Sequence, residues 1–210
     1  MTEVEQDSKR DRVARRQVDK FAERRAQLAE AARKTLAEQG YANTSLRDIA
    51  QNSEFSHGVL HYYFADKFEL ITYCVRAYKT KCVQRYDTIV ATAPTADVLL
   101  AQVGVAMVES MRDDADMHRL WYDLRNQSQF DKRFVVDVSD IDASLEQMIW
   151  RIVSRYAELA GTVPAVSPQL AYALADGVFQ QSLLGFLSGD QAALDQFGAH
   201  MTQVLPSLLA

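Results

Sequence analysis

Apolar residues recur every three or four positions along most of the chain, which is the spacing of one buried face of an α-helix. The first stripe runs from Phe21 to Leu36 and stops at Gly40, a residue typical of the end of a helix. A longer stripe runs from Phe68 to Ile89, and no segment shows the clear alternation of a half-buried strand. The pattern predicts nine helices: one ending near 39, two short ones between 45 and 64, and six longer ones at about 66–92, 96–113, 116–129, 133–160, 168–188 and 191–207.

The composition agrees with an all-α fold. The chain has 8 Gly and 4 Pro, whereas average usage gives roughly 25 of these turn-forming residues in this length. No apolar run approaches the ~18 residues of a membrane span, and the amino-terminal segment lacks the apolar centre of a secretory signal. The 2 cysteines make no disulfide framework. We therefore expect a helical, cytoplasmic protein without a membrane partner.

Charge is distributed unevenly along the chain. The net charge is −5, yet the segment from Lys9 to Lys34 has an excess of basic residues. An acidic protein with a basic end indicates a polyanion-binding region, although a solvated helix explains the same charges. The basic residues that precede the first apolar stripe have no evident packing role, and we expect them either to reach DNA phosphates and the minor groove or to form a solvated tail. They are Lys9, Arg10, Arg12, Arg15 and Arg16.

The two short helices have the features of a helix-turn-helix. Ser45 can cap the first, with Asp48 as its capping-box partner, and Ser56 can cap the second. Ala50 is small enough to let the two helices cross closely. A helix-turn-helix places its second helix in the major groove of DNA.

This segment resembles the DNA-binding motif of the TetR family of transcriptional repressors. The resemblance covers about 25–85, and beyond it only the number and length of the helices are similar to the family. The spacing around Trp121 is similar to that of the betaine-regulator-like branch. The matching residues are Thr44, Ser45, Ile49, Ala50, Ser56, Gly58, Leu60, Tyr63, Phe64, Lys67 and Leu70.

The motif departs from the family pattern at two places. Ser53 and Glu54 stand at the turn where family members usually have Ala-Gly, so a positive φ there would strain Glu54. His57 and His61 replace the Lys and Tyr of many members, which leaves the preferred DNA sequence open.

We expect Leu60, Tyr63 and Phe64 to hold the second helix to the core while its other face reads DNA. Val59 can contact a thymine methyl group, and Tyr62 is equally consistent with packing. Thr44, Lys67 and their neighbours lie where phosphate contacts would set the register. The predicted DNA-binding residues are Thr44, Ser45, Arg47, Ser56, His57, Gly58, Val59, His61, Tyr62 and Lys67.

The resemblance implies a homodimer that binds a palindromic double-stranded operator and is released by a small-molecule effector. It also implies a division into a basic arm at 1–20, a DNA-binding domain at 21–73 and a ligand-binding and dimerisation domain at 74–210. The expected ligand contacts are Met107, Met111, Trp121, Tyr122, Arg125, Asp176, Phe179 and Gln180. The expected dimer contacts are Ala173, Gly177, Gln181, Gly185, Phe197 and Met201.

Other function classes have less support in the sequence. His57 and His61 are spaced like a zinc pair, but Gly58 stands where a metalloprotease has Glu, so we expect no metal and no cofactor. No catalytic arrangement of residues stands out, and we expect no enzymatic activity. The alternative is an all-helical small-molecule-binding or scaffold protein without specific DNA binding, which would leave the first seventy or so residues unexplained.

Overall fold

The computed structural model describes the backbone of residues 3–210 and the side chains of 18–36 and 38–210. Within that part of the chain the fold is all-α, as predicted, with nine helices and no strand. The chain divides into two compact units, Met1–Cys74 and Val75–Ala210. The helices are α1 Glu3–Asn43, α2 Leu46–Gln51, α3 His57–Tyr63, α4 Lys67–Thr92, α5 Ala96–Gln127, a 3-10 helix at Lys132–Phe134, α6 Val135–Ala160, α7 Pro168–Leu187 and α8 Ala193–Ser207.

The first unit packs α1, α2, α3 and the start of α4 around a small apolar core. Leu28, Leu36, Ile49, Leu60 and Leu70 have no exposed surface in this core. Burial of these side chains supplies most of the stability that short helices cannot obtain from helix propensity.

Helix α1 includes most of the segment predicted as a basic arm. Its backbone is helical from Glu3 onward, and a kink at Gly40, with φ 73° and ψ 176°, interrupts it near the predicted end. A positive φ is easily adopted by glycine. The side chains from Lys9 to Arg16 lie outside the described residues, so the role predicted for them stays a prediction.

Helix α5 bends sharply at Asp114, where φ is −126° and ψ is 25°. Ser110 Oγ and His118 Nε2 lie only 3.0 Å apart across this bend, whereas eight residues of a straight helix advance about 12 Å. The two segments therefore correspond to the separate helices predicted at 96–113 and 116–129.

The second unit packs α5, α6, α7 and α8 against one another. Trp121, Phe134 and Phe197 are among its largest fully buried side chains. Gly161 ends α6 in the left-handed conformation, with φ 70°, as glycine commonly does after a helix. In the described part of the chain, no helix is long and apolar enough to cross a membrane.

Candidate DNA interface and ligand cavity

Helix α3 is capped at its start and anchored on one side. The Ser56 hydroxyl accepts a hydrogen bond from the Val59 amide at 3.3 Å, as predicted for a cap. Leu60 is fully buried and Phe64, directly after the helix, is 1% exposed. These contacts, together with the half-buried Tyr63 ring, whose centroid lies 4.8 Å from that of Phe21, orient α3 so that its other face is turned away from the core of the first unit.

The face of α3 opposite its anchors is open to solvent. His57, Gly58, His61 and Tyr62 are exposed, and Val59 is half-buried. The His57 and His61 rings meet edge to face, with centroids 4.4 Å apart. No group of three or more His, Cys, Asp or Glu side chains in the described residues is arranged to hold a metal ion. We call this surface the α3 face.

Gly58 has no packing reason to be glycine. A Cβ atom built on it would meet only the Ser56 hydroxyl oxygen, at 4.0 Å, and its φ is not positive. Alanine in a helix is more stable than glycine by roughly 0.5–1 kcal/mol. The glycine therefore leaves room for something that approaches α3 from outside.

The turn between α2 and α3 lacks the strain considered for Glu54. No non-glycine residue has a positive φ in the described chain. Asn52 ends α2 with φ −98° and ψ 11°, and the Ser53 hydroxyl accepts from the Phe55 amide at 3.3 Å. Phe55 is 8% exposed, with the Arg24 guanidinium 4.6 Å above its ring. The hydrogen bond to the Ser53 side chain and the buried Phe55 ring hold this turn without the glycine of the family pattern.

The structure argues against phosphate contacts by the side chain of Thr44 and gives Lys67 a different role. Thr44 is 2% exposed, and its hydroxyl donates to the Gly40 carbonyl at 2.7 Å. Lys67 Nζ donates to the carbonyls of Tyr41 and Thr44 at 2.8 and 2.9 Å, and lies 4.4 Å from the Tyr41 ring centroid. Both side chains thus stabilise the end of α1.

Ser45 forms the predicted capping box of α2. Its backbone amide donates to the Asp48 carboxylate at 2.8 Å, and the Asp48 amide donates back to its hydroxyl at 3.2 Å. Hydrogen bonds from Ser45 lower the pKa of Asp48, and nearby Arg47 adds to that effect. Ser45 and Arg47 are exposed, so their predicted phosphate contacts stay open as predictions.

The second unit contains a cavity with about 560 Å³ of empty space, part of which is open solvent. Five of the eight predicted ligand residues line it. Met111 is fully buried in the core instead, and Arg125 and Gln180 are absent from the lining. The lining residues are Lys79, Cys82, Tyr86, Met107, Ser110, His118, Trp121, Tyr122, Leu145, Met148, Ile149, Tyr172, Ala175, Asp176 and Phe179.

Sequence reasoning missed a buried polar chain in the cavity wall. Lys79 Nζ lies 3.1 Å from His118 Nδ1, and His118 Nε2 lies 2.9 Å from the Tyr78 hydroxyl and 3.0 Å from Ser110 Oγ. Burial lowers the pKa of Lys79 to about 8, and burial and the Lys79 charge lower the pKa of His118. A signal existed in the sequence, because Lys79 falls at helical spacing between Val75 and Cys82 on an apolar stripe.

Asp176 organises a second polar group beside the same cavity. It accepts hydrogen bonds from the Tyr122 hydroxyl, at 2.9 Å, and from the Arg125 guanidinium. Arg125 Nε also lies 3.3 Å from Asp142, which accepts from the Tyr172 hydroxyl at 2.6 Å. Arg125 therefore bridges two carboxylates rather than lining the cavity itself.

Helix α7 has an exposed apolar stripe. Leu170 and Leu184 are 57% and 63% exposed, and the predicted dimer residues Ala173, Gly177 and Gln181 are exposed between them. A Cβ built on Gly177 meets nothing within 4 Å. We call this surface the α7 stripe.

Three of the predicted dimer residues are covered by their own subunit. Phe197 and Met201 are 0% and 5% exposed within the subunit, where the apolar side of α8 packs against α5 and α7, so the prediction that they form the dimer contact is wrong. Gly185 is half-buried, and a Cβ on it would meet Ala193 at 3.5 Å. The regular spacing of apolar residues in α8 therefore reflects packing against helices of the same chain.

Comparison with known proteins identifies the first unit. Residues 28–74 match the family described as bacterial regulatory proteins, tetR family. The first unit therefore contains the segment typical of the TetR family. The Bacillus subtilis protein named HTH-type transcriptional regulator PksA is 26% identical over 107 residues, which cover 51% of this chain and 52% of that protein. The match thus spans about half of the length of this curated relative.

Solved structures share the TetR fold over most of the chain. A TetR regulator from Haloarcula marismortui superposes with a TM-score of 0.74 at 14% identity, covering 90% of this chain and 100% of that one. FadR from Bacillus subtilis, in complex with stearoyl-CoA, gives 0.72 at 16% identity, covering 88% and 99%. A regulator from Saccharomonospora viridis, in complex with choline, gives 0.72 at 18% identity, covering 90% and 98%.

The family match ends at Cys74, the last residue of the first unit. The α3 face therefore lies inside the TetR-family segment, while the cavity and the α7 stripe lie beyond it. At these low identities the solved structures establish a common fold for the second unit. The chemistry of its cavity depends on its own side chains.

Proposed function

We propose that this chain is a transcriptional repressor whose homodimer binds a palindromic DNA operator and releases it when a small-molecule effector binds. The observation that carries the proposal is the α3 face, where a capped and anchored helix presents exposed side chains and a glycine that leaves room for close approach. Helices that read DNA in the major groove need such a face. The chain then acts by binding rather than by catalysis.

Selection of genomic fragments followed by fluorescence anisotropy tests this function. The full chain is expected to enrich a sequence with two half-sites related by a dyad. Val59→Ala and His61→Ala are expected to change base preference within a half-site, by roughly 1–3 kcal/mol for each lost good contact. Enrichment of no sequence, or unchanged base preference in both variants, would reject the proposal in favour of a helical ligand-binding or scaffold protein.

The α7 stripe supports a homodimer as the binding unit. Its leucines and the smooth surface around Gly177 would be covered by the same helix of a second copy. Gly177→Arg is expected to give monomers in sedimentation and to lower operator affinity about a thousandfold, because the second half-site contact is lost. Ala143→Arg, on an exposed position of α6, is the matched control. A Gly177→Arg protein that remains dimeric would exclude this interface.

The cavity supports control by an effector. Relatives of the same fold are described in complex with stearoyl-CoA and with choline, so a small molecule is compatible with this architecture. A ligand that binds the DNA-free state about 100-fold more tightly shifts the equilibrium by about 2.7 kcal/mol. Linkage requires operator DNA to weaken effector binding by the same factor. Equal effector affinity with and without operator would exclude induction.

The basic amino-terminal segment is proposed to add phosphate or minor-groove contacts. Deletion of residues 2–16 is expected to lower operator affinity and to flatten its dependence on salt, because each lost phosphate contact reduces counterion release. Unfolding of the remaining chain should be unchanged. A salt slope equal to that of the full chain would assign these residues to a solvated tail.

A further inference from the structure

Lys79 is a buried cation without an anionic partner. It is 7% exposed, and no carboxylate of the described residues lies within 4 Å of its amine. One of its three N–H groups donates to His118 Nδ1, the one acceptor that lies within hydrogen-bond distance of Nζ in that part of the chain. A buried charge is costly unless it is paired, which makes this amine a site that is incomplete without an anion.

His118 cannot supply the missing charge. A lysine ammonium only donates, so Nδ1 of His118 accepts and its proton is on Nε2, which faces the Tyr78 hydroxyl and Ser110 Oγ. The ring is therefore neutral, in agreement with the lowered pKa of His118. It orients the ammonium without neutralising it.

Trp121 provides a second unused donor in the same wall. Its side chain is 1% exposed and lines the cavity, and its indole Nε1 is buried with no hydrogen-bond partner. Lys79 Nζ lies 5.6 Å from the Trp121 ring centroid, so the amine and the indole belong to the same part of the cavity wall. Buried donors without partners are rare in native proteins, so the indole N–H, next to an ammonium with only one acceptor, indicates an acceptor that the ligand brings.

The carboxylates near the cavity are already satisfied. Asp176 accepts from Tyr122 and Arg125, and Asp142 accepts from Tyr172 and pairs with Arg125. An incoming ammonium group would compete with these partners and would also meet the positive charge of Lys79. The occupied carboxylates and the adjacent charge of Lys79 therefore favour an anion over a cation at this wall.

We propose that the cavity binds an organic anion with an apolar body, and that its carboxylate contacts Lys79 Nζ and Trp121 Nε1. The apolar body packs on Met107, Leu145, Met148 and Ile149, which line the same cavity. This inference rests on the proposed function only in naming the cavity as the effector site, and its test needs no DNA.

Isothermal titration of the full chain tests the preference for an anion, with octanoate and phenylacetate as probes. Their matched analogues are octanol, octyltrimethylammonium and phenylacetamide, and choline is the small cation. A charge-assisted hydrogen bond contributes about 1.5–3 kcal/mol, so each carboxylate is expected to bind at least about tenfold more tightly than its analogues. No binding of either carboxylate, or equal or tighter binding of an alcohol, amide or ammonium compound, would overturn the inference.

Variants of the two donors locate the carboxylate. Lys79→Met is expected to bind octanoate no more tightly than octanol, whereas Lys81→Met, at an exposed position of the same helix, should bind it like the wild type. Trp121→Phe keeps the ring and removes the N–H, with an expected loss of about tenfold. Thermal unfolding shows that each variant is folded. Unchanged octanoate affinity in Lys79→Met would overturn the assignment.

The two proposals fail separately. Binding of octanoate that depends on Lys79 but leaves operator affinity unchanged would support the anion site and reject the proposed induction. Operator binding by a protein that shows no preference for carboxylates would support the DNA-binding function and reject the anion site.

Discussion

The α3 face and the cavity both present polar side chains, but those side chains differ in what they already contact. On the α3 face, His61 and Gly58 contribute little to the packed core of the first unit. In the cavity, Asp176 holds Tyr122 and Arg125 in place, so the same atoms that line the site also stabilise the fold. Substitutions on the α3 face should therefore separate function from stability, whereas most cavity substitutions should change both. Lys79 is the exception, because it lines the cavity at a cost to stability.

The largest effect is expected where the cavity supports the fold. Asp176→Ala leaves the Tyr122 hydroxyl without its acceptor and leaves Arg125 paired with Asp142 alone. Breaking a buried ion pair costs about 3–5 kcal/mol, and because Arg125 is about one-third exposed we expect a loss of about 2–3 kcal/mol. Chemical denaturation followed by circular dichroism measures the change. Asp140→Ala, which breaks an exposed pair with Arg76, is the control and should lose less than about 1 kcal/mol. Equal losses of unfolding free energy in Asp176→Ala and Asp140→Ala would show that the cavity carboxylate stabilises the fold no more than an exposed one.

Lys79→Met should raise the free energy of unfolding at neutral pH, because it removes a penalised buried cation, and this gain should shrink as pH rises. Burial lowers the pKa of Lys79 from 10.5 to about 8, although the charges of Cys82, Asp176 and Asp142 oppose the shift. Between about pH 8 and 10.5 the unfolded chain binds more protons than the folded one, so the stability of the wild type increases with pH. Methionine does not titrate, so the variant lacks this increase. The difference in unfolding free energy should change by about 2 kcal/mol between roughly pH 7 and 9.5. Parallel stability curves would show that Lys79 is not held as a penalised cation.

Gly58→Ala should move stability and DNA binding in opposite directions. The added methyl group meets open space, so the free energy of unfolding should rise by roughly 0.5–1 kcal/mol. Operator affinity should fall about tenfold, or about 1.4 kcal/mol, because the backbone can no longer approach DNA as closely. Gly104→Ala also adds its methyl group in open space, on a helix of the second unit, and should raise stability alone. Wild-type operator affinity in Gly58→Ala would exclude close approach at this position.

The smallest effect is expected at the α2 cap. Ser45→Ala removes the side-chain acceptor for the Asp48 amide and should cost about 1 kcal/mol of unfolding free energy. Ser45→Thr keeps the acceptor and should keep the stability. Ser167→Ala removes the corresponding cap of α7 and should give a similar loss in the second unit. If Ser45→Ala lowers operator affinity far more than the cap energy explains, Ser45 also contacts phosphate.

The sequence predicted the helices and the caps of the first unit well because their signals are local. Ser45 and Asp48 are three residues apart, and Ser56 lies immediately before the helix it caps. The contacts of Lys67 were not predicted, for the opposite reason. Lys67 Nζ reaches main-chain carbonyls 23 and 26 residues earlier, and position within a motif gives no information on such a contact.

The cavity was predicted only in part because core and lining residues have the same composition. Met107 and Met111 both suggested a ligand contact, yet one lines the cavity and the other is enclosed in the core. His118 reaches Ser110 only because α5 bends at Asp114, and the bend has no clear signature in the sequence. Phe197 has the spacing of an interface residue, but periodicity cannot tell which helix covers it.

The enclosure of His118 makes it a spectroscopic reporter. The chain has 4 histidines, and His57, His61 and His200 are exposed while His118 is 4% exposed. Ring protons of exposed imidazoles exchange quickly with water, whereas the Nε2–H of His118 is held by hydroxyl acceptors in a buried site. Nitrogen-resolved NMR of the imidazole groups should therefore show one slowly exchanging N–H signal. Its chemical shift would follow occupation of the cavity directly, without a fluorescent label or a DNA probe.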